Sequence, residues 1–492
     1  MSKHMQMIGK GQGEKGAVWV AVRIPDGHVA AHANQARIPY VNMETAGPKT
    51  ARWSPDVVTF AIAKKLFDPA AGVPFSFSDV YDPLTFSGAR SGEARVWSFF
   101  SKVTSLPGFA AQFEDYALGR QLAGPRMPLH VPVKAKLSVQ DIMRFMRDHY
   151  EHTALNMTTD VGAGPWAAKF RDRPLSWKFG NEYYVNERSI GTQQSAWHFV
   201  ANARHWLPDH VGGVFWFGVD DASFSVHIPF YSFAAVPKEL RTGTGSITEL
   251  DLTSLFWLND LVANKVYSKW QILAPIVSAA VAELEAGFFS RQAEVEALAM
   301  HLWDAESDAD AAAAKSARGR ARAGDESASA RYLSRHSSGL TQNVAAHWLL
   351  LWKNLSVTFR DGVKVLPPTN GHDHGGHQRG GPVANVVDGS GSGTNEWRDA
   401  WKRYIVSEAG AHFRGKGGDH LALQQEQRKS QVMDGKHRNA ATTARVAAGA
   451  AASGAVSREL DAAEGAQAAL STARPYSEPM PSSVDGFNGL VA

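Results

Sequence analysis

Among 492 residues there is no cysteine, and that closes off several chemistries before any motif is sought. Disulfides, thiolate metal ligands and thiol nucleophiles all need a sulfur this sequence does not contain. Neither the G-x-S-x-G elbow of serine hydrolases nor the H-E-x-x-H helix of zinc proteases occurs. Gly11-Gln12-Gly13-Glu14-Lys15-Gly16 has the spacing of a dinucleotide-binding loop. An apolar strand follows it where such a loop should open a helix, so it reads as a glycine-rich turn. His372, Asp373, His374 and His377 are metal-ligand types, but the glycines around them fix no geometry. They read as linker, and no cofactor is expected. Polar side chains in the more distinctive strings include Asn34 after a strand and Arg95 early in a helix, with His149, Gln193, Gln194, Asp220 and Asp221. Each has an ordinary reading. Asn34 can cap its own backbone in a turn, and Arg95 can sit on a surface. His149 lies on an apolar helix side, where a satisfied core histidine is the commoner case. Asp220 and Asp221 shape a bend, while Gln193 and Gln194 either line a binding site or pair with neighbouring strands.

Two kinds of element position these groups. The first is the hairpin. Residues 17–23 form a nearly continuous apolar strand, Pro25-Asp26-Gly27 supplies a turn, and residues 28–33 can return beside it. Leu175-Ser176-Trp177-Lys178-Phe179 alternates, Gly180-Asn181 turns, and the chain goes back from Tyr183. Residues 214–219 read as a buried strand, after which Phe224, Val226, Ile228 and Phe230 alternate with period two. The second element is the amphipathic helix. Ser54-Pro55 gives an N-cap and a first-turn proline to a helix over 57–67. Ser138 and Asp141 open another that gathers Val139, Ile142, Phe145, Met146 and His149 on one side. Residues 93–100 predict a third, and 252–269, 276–303 and 332–359 a helical region broken at Pro275. Hairpins adjoining helices without regular alternation predict an α+β fold.

With 44% hydrophobic and 20% charged residues, the composition is that of an ordinary globular protein. A net charge of +3 is too small to imply a nucleic-acid partner. No apolar run approaches the roughly 20 residues that span a bilayer, so no membrane partner is expected either. All but Trp397 and Trp401 of the 15 tryptophans precede Leu366. Large aromatics dominate core burial, so the packed part is expected to end there. Residues 251–366 form the helical part, with 304–328 an exposed insertion. Residues 367–492 read as a low-complexity, mostly disordered tail, apart from a short amphipathic helix over 397–406.

Several strings stand out by their order and spacing. His32-Ala33-Asn34-Gln35-Ala36-Arg37-Ile38 comes first, then Glu93-Ala94-Arg95-Val96-Trp97 and Met146-Arg147-Asp148-His149-Tyr150-Glu151. Asp160-Val161-Gly162-Ala163-Gly164-Pro165 follows, then Asn186-Glu187-Arg188 with Thr192-Gln193-Gln194. Last is Gly212-Gly213-Val214-Phe215-Trp216-Phe217-Gly218-Val219-Asp220-Asp221. Together, from about Met5 to about Leu366, these resemble the cysteine-type dipeptidase family, relatives of the penicillin V and bile-salt acylases.

The resemblance implies the αββα sandwich of N-terminal-nucleophile hydrolases, here partial, with residues 1–250 as an incomplete hydrolase domain. It implies hydrolysis of small dipeptides without a metal. In such enzymes an N-terminal cysteine attacks the peptide carbonyl, and its own α-amine, of pKa about 8, is the base. Nearby positive charge lowers the thiol pKa, and amide donors stabilise the oxyanion. On that pattern Asn34 takes the place of an oxyanion-hole asparagine, and Arg95 that of an arginine facing the nucleophile. The segment that would carry the cysteine and two central strands has no counterpart here. Ser2, freed by loss of Met1, is a weak substitute, because it precedes a strand that comes later in the family's order. Two readings follow: a truncated dipeptidase chain that is inactive alone, or a non-catalytic relative that binds peptides or proteins. On the first, missing strands would expose faces such as Val18, Val20 and Val22 and favour self-association.

Overall fold

The computed structural model describes residues 3–9, 17–39, 41, 47, 49–172, 174–241, 243, 245–315, 327–360, 364–366, 385–387 and 397–409. By compactness the chain divides into two units, residues 1–386 with 394–414 and residues 387–393 with 415–492. The second unit lies almost wholly outside the described residues, as do Ser2, the Gly11-to-Gly16 turn and His372 to His377. The fold below is that of the first unit.

Strands lie at Lys3–Gly9 (β1), Ala17–Arg23 (β2), His28–Ala30 (β3), Ala51–Trp53 (β4), His130–Pro132 (β5), Ser176–Phe179 (β6), Glu182–Val185 (β7), Trp197–Ala203 (β8), Gly213–Val219 (β9) and Ile228–Tyr231 (β10). They make two antiparallel three-stranded sheets, β1-β2-β4 and β10-β9-β8, and the pairs β3-β5 and β6-β7. With the helices given below this is an α+β fold. The β6-β7 hairpin forms as its alternation predicts, with Gly180 at φ 60° in the turn.

The first expected hairpin does not form. Both edges of β2 are taken, by β1 (Ala21 opposite Met5) and by β4 (Val20 opposite Trp53). The chain still turns at Asp26-Gly27, but β3 then pairs with β5. A turn signal encodes a reversal, whereas the pairing partner depends on which edge is open. Nor is β2 bare: Val18 and Val20 are 0% and 1% exposed, in a cluster with Ile38, Val57 and Phe77.

The helices that matter are Val57–Ala63 (α1), Ala94–Val103 (α2), Val139–Met146 (α3), Leu255–Ser268 (α4), Trp270–Lys315 (α5), Ala328–Thr358 (α6) and Asp399–Ala409 (α7). Ser138 and Asp141 form a reciprocal capping box on α3, as their spacing predicts. Ser54 does not cap α1; its Oγ accepts the Trp19 backbone N–H at 3.1 Å and ties the start of the helix to β2. Helix α1 also stops at Ala63, short of the expected Phe67. Pro275 sits in the second turn of α5, where its ring removes one ladder bond, and the break falls at Lys269 instead. Residues 304–315 of the expected insertion are the last turns of α5, and 316–326 lie outside the described residues.

Helices α4, α5 and α6 cover one face of the β8-β9-β10 sheet. Val200, Val214, Trp216 and Ile228 share one buried cluster with Leu258, Val262, Val277 and Trp348. By length and composition α5 could cross a membrane over Trp270–Ser307. In this fold its buried stripe (Leu273, Val277, Val281) packs in that cluster. Glu285 and Glu296 on the same helix pair with Arg147 (2.6 Å) and Arg204 (2.8 Å). The opposite face of the sheet carries Trp197, Phe199 and Phe215 in a ladder, with ring centroids 5.7 and 4.5 Å apart, all three exposed. The helix expected over 397–406 is α7, and Arg398 ahead of it donates to the carbonyls of Thr158 (2.6 Å), Gly164 (2.8 Å) and Asp160.

Candidate functional site

The loop after β3 is clamped at both ends. Arg37, 3% exposed, pairs with buried Glu93 at 2.9 Å and donates to the carbonyls of Ala31, Met127, Pro128 and Leu129. The Tyr116 hydroxyl donates to the same Glu93 carboxylate at 2.9 Å. A buried ion pair holds its place only when the rest of its hydrogen-bonding capacity is met, and this one comes close to that. Gln35 donates to the Asp82 carbonyl (2.7 Å), and the Ala36 N–H donates to the Asp82 carboxylate (2.6 Å). Between these anchors Asn34 sits exposed at φ 54°, a left-handed conformation that asparagine tolerates better than most residues.

Facing the loop, residues 89–93 make a π-turn that runs into α2. Such turns are uncommon and frequent at functional sites. Two glycines let the loop lie directly on it. A Cβ at Gly92 would stand 2.6 Å from the Ala33 carbonyl oxygen, and one at Gly88 would strike the Gln35 amide oxygen. The consequence is the contact that matters most: Arg95 Nη2 donates to Asn34 Oδ1 at 2.7 Å, and Arg95 also donates to the Ser91 carbonyl from Nε at 2.8 Å. With its oxygen turned to Arg95, the Asn34 amide presents its Nδ2 donors to the other side, without a partner among the described residues. Burial draws the Arg95 guanidinium down to about 10, with Tyr150 opposing and Arg188 adding to the shift, so it stays cationic at neutral pH.

Tyr150 is fully buried, and its hydroxyl donates to the Arg188 carbonyl at 2.6 Å. Glu187 is held between Arg90 (2.5 Å) and Arg171 (3.0 Å), and Arg171 is held in turn by Asp160 (2.7 Å). The structure thus brings Asn34 and Arg95 together, and Arg90 ties the Asn186-Glu187-Arg188 string to the turn ahead of Arg95.

The other sequence candidates serve the framework. His149 lies past the end of α3, 5% exposed, with Nε2 3.1 Å from the Ser223 hydroxyl and its ring against Trp270. Gln193 donates to the Arg171 carbonyl (2.7 Å), and Gln194 accepts from the Thr192 hydroxyl (2.7 Å). Asp220, at φ 67°, and Asp221 form the bend after β9. Burial, and then the charges of Asp221 and Asp260, push the Asp220 carboxyl well above its usual range.

One constellation escaped sequence reading. Glu285 bonds His227 Nδ1 (2.9 Å), His227 Nε2 bonds His198 Nδ1 (2.9 Å), and His198 Nε2 bonds the Ser225 hydroxyl (2.7 Å). Its connectivity is that of an activated serine, but Ser225 is fully buried and its hydroxyl donates to the Asp221 carbonyl. It is a core network. Burial alone would raise the Glu285 carboxyl, but hydrogen bonds from His227 and Arg147 outweigh it and bring it to about 2. Burial pushes His198 well below its usual value, with the charges of His227 and Arg147 adding to the effect.

A cavity of about 650 Å³ opens between the end of α2, residues 134–137 and α3, and neither Asn34 nor Arg95 lines it. Most of its charges satisfy one another or a neighbour: Lys102 with Asp148, Arg144 with Asp141, Arg147 with Glu285, and Glu151 with Lys169. The Asn34–Arg95 pair, with open donors, is the better candidate. No cluster of three histidines or carboxylates that could hold a metal ion occurs among the described residues.

Comparison with known proteins gives a family match over residues 4–283, to the model described as peptidase family C69. The matched stretch ends inside α5, short of Leu366. A probable dipeptidase of Latilactobacillus sakei is 24% identical over 252 residues, 51% of this chain and 46% of that protein. A probable dipeptidase of Salmonella dublin is 26% identical over 231 residues, 47% of this chain and 45% of that protein. The matches thus span about half the length of these curated relatives.

Proposed function

Because the chain belongs to peptidase family C69, we propose that its Asn34–Arg95 cleft serves cysteine-type hydrolysis of dipeptides, with a thiol that these 492 residues do not contain. The observation that carries this reading is the 2.7 Å bond from Arg95 to Asn34 Oδ1, which sets open amide donors and a cation side by side. The thiol gives its proton to its own α-amine and attacks the peptide carbonyl. Negative charge then gathers on the carbonyl oxygen, where the Asn34 Nδ2–H donors meet it. Arg95 favours the thiolate beforehand and the oxyanion afterwards. The α-amine returns the proton to the departing amino group, and water cleaves the thioester.

The αββα architecture is part of the same reading. Helices cover one face of β8-β9-β10, and Trp197, Phe199 and Phe215 line the face that a second sheet would cover. Residues 1–250 then carry the hydrolase part and 251–366 its helical continuation. The absence of cysteine favours a second reading, a relative that binds peptides without cleaving them.

The test is to assay L-alanyl-L-alanine hydrolysis by the 492-residue chain and by the same chain extended with the in-frame sequence encoded upstream. The account expects no turnover and no effect of thiol reagents for the first. It expects activity from a form that begins with cysteine. Dipeptide binding by an extended form that never cleaves supports the second reading. Hydrolysis by the unextended chain that Ser2→Ala abolishes overturns both.

A further inference from the structure

We propose that Arg188, beside Arg95, binds the free C-terminal carboxylate of the dipeptide and so sets the length of peptide this cleft accepts. The inference rests on the peptide-hydrolase reading of the same cleft and adds the group that recognises the substrate's end.

Four charged side chains fix the surroundings of Arg188, and none of them neutralises it. Glu187, the adjacent carboxylate, is already shared by Arg90 and Arg171. Arg171 also takes Asp160. The Arg188 guanidinium makes no ion pair or hydrogen bond among the described residues, although its Nε is shielded from solvent. Buried polar nitrogens of this kind are nearly always partnered, so an orphan needs an explanation. The orphan does not come from a loose loop, since the Arg188 carbonyl is pinned by the buried Tyr150 hydroxyl at 2.6 Å.

The Arg90–Glu187 pair at 2.5 Å holds the segment of Arg188 against the 89–93 turn that leads into Arg95, and the Arg188 charge disfavours the protonated form of Arg95. Two neighbouring guanidinium groups, neither paired with a carboxylate among the described residues, repel, and an anion bound between them relieves the repulsion. A carboxylate is the anion that matches the planar fork of arginine. The substrate class supplies one at the right place. In a dipeptide the free carboxylate lies one residue beyond the scissile carbonyl, a step of about 3.8 Å between successive Cα atoms. A carbonyl oxygen at Asn34 therefore puts the carboxylate within a residue's reach, next to Arg95. A longer peptide would present a neutral amide there and leave Arg188 unpaired.

The experiment is calorimetric titration of the 492-residue chain with L-alanyl-L-alanine and with its C-terminal amide, for the wild type, Arg188→Gln and Arg188→Lys. Hydrogen bonds to charged groups set the expected scale, so the wild type should bind the free acid about 10–100-fold more tightly than the amide. Arg188→Gln should bind both at the amide's level, and Arg188→Lys should keep part of the difference. If the wild type binds acid and amide equally, Arg188 is not a carboxylate site, and the dipeptide reading stands without it. The same holds if a folded Arg188→Gln keeps the full preference. If the wild type binds neither ligand, this inference is wrong, while the proposed function is decided separately by the assay of the cysteine-bearing form. The wild-type comparison decides even where a variant fails to fold.

Discussion

At position 34 one side chain has to meet two demands, a left-handed backbone at φ 54° and an amide turned by Arg95. Substitutions separate them. Asn34→Gly keeps the conformation and loses the donors; Asn34→Ala loses both. In a form supplied with the cysteine, Asn34→Gly should retain the wild-type melting temperature while kcat falls about 10²–10³-fold, the usual scale for a lost oxyanion donor. Asn34→Ala should fall as far in kcat and also lose about 1–2 kcal/mol of stability. Behind the cleft, Arg37→Ala strands the Glu93 carboxylate in the core. Breaking a buried pair in this way costs about 3–5 kcal/mol, readable by urea unfolding. Asn34 and Arg95 were legible because each sits in a string whose order and spacing resemble a known family. Arg188 lay in such a string too, but its meaning depends on Tyr150, Arg90 and Arg171, which lie far from it in sequence and touch it or its neighbour Glu187 only in the fold.

Among the elements, the sequence was most legible where local chemistry decides the outcome. The capping box at Ser138 and the turn at Gly180 needed nothing distant. It was least legible where a partner decides, as for β2, whose neighbours are β1 and β4 and not the strand that follows it. The apolar face expected at Val18 and Val20 is buried, and an exposed one among the described residues is the aromatic ladder of β8 and β9. Self-association, if it occurs, should run through that ladder. Replacing Trp197 and Phe199 together by Ser should lower the apparent mass by light scattering, and an unchanged mass would point elsewhere. The buried His198 gives a pH signature. Its folded pKa lies below the usual 6.5. Between the two values the unfolded chain binds a proton that the folded one refuses, so stability is lost as pH drops below about 6.5. The slope is at most about 1.4 kcal/mol per pH unit. Asp220, whose carboxyl is raised, acts with the opposite sign, and Glu285 contributes only toward pH 2. Unfolding from pH 7 to 5 should therefore be shallower in His198→Gln than in the wild type, once Asp220 cancels from the comparison.

On the scale of the whole molecule, the hydrophobic cluster of the β8-β9-β10 sheet runs on to Phe359, while the family match covers 4–283. The strings that carry Asn34, Arg95 and Arg188 all fall inside that stretch, while α6 and α7 lie beyond it. Glycines at 88 and 92 bring loop and helix into contact across about sixty residues of sequence, which no local pattern announces. The claim that holds the account together is that Asn34 and Arg95 stabilise charge created by a thiol. The most direct measurement is kcat for L-alanyl-L-alanine in the cysteine-bearing form, compared with Asn34→Gly and Arg95→Ala. The account predicts that each variant loses at least about a hundredfold in kcat while its unfolding temperature holds. Wild-type kcat in a folded Asn34→Gly and a folded Arg95→Ala would contradict it.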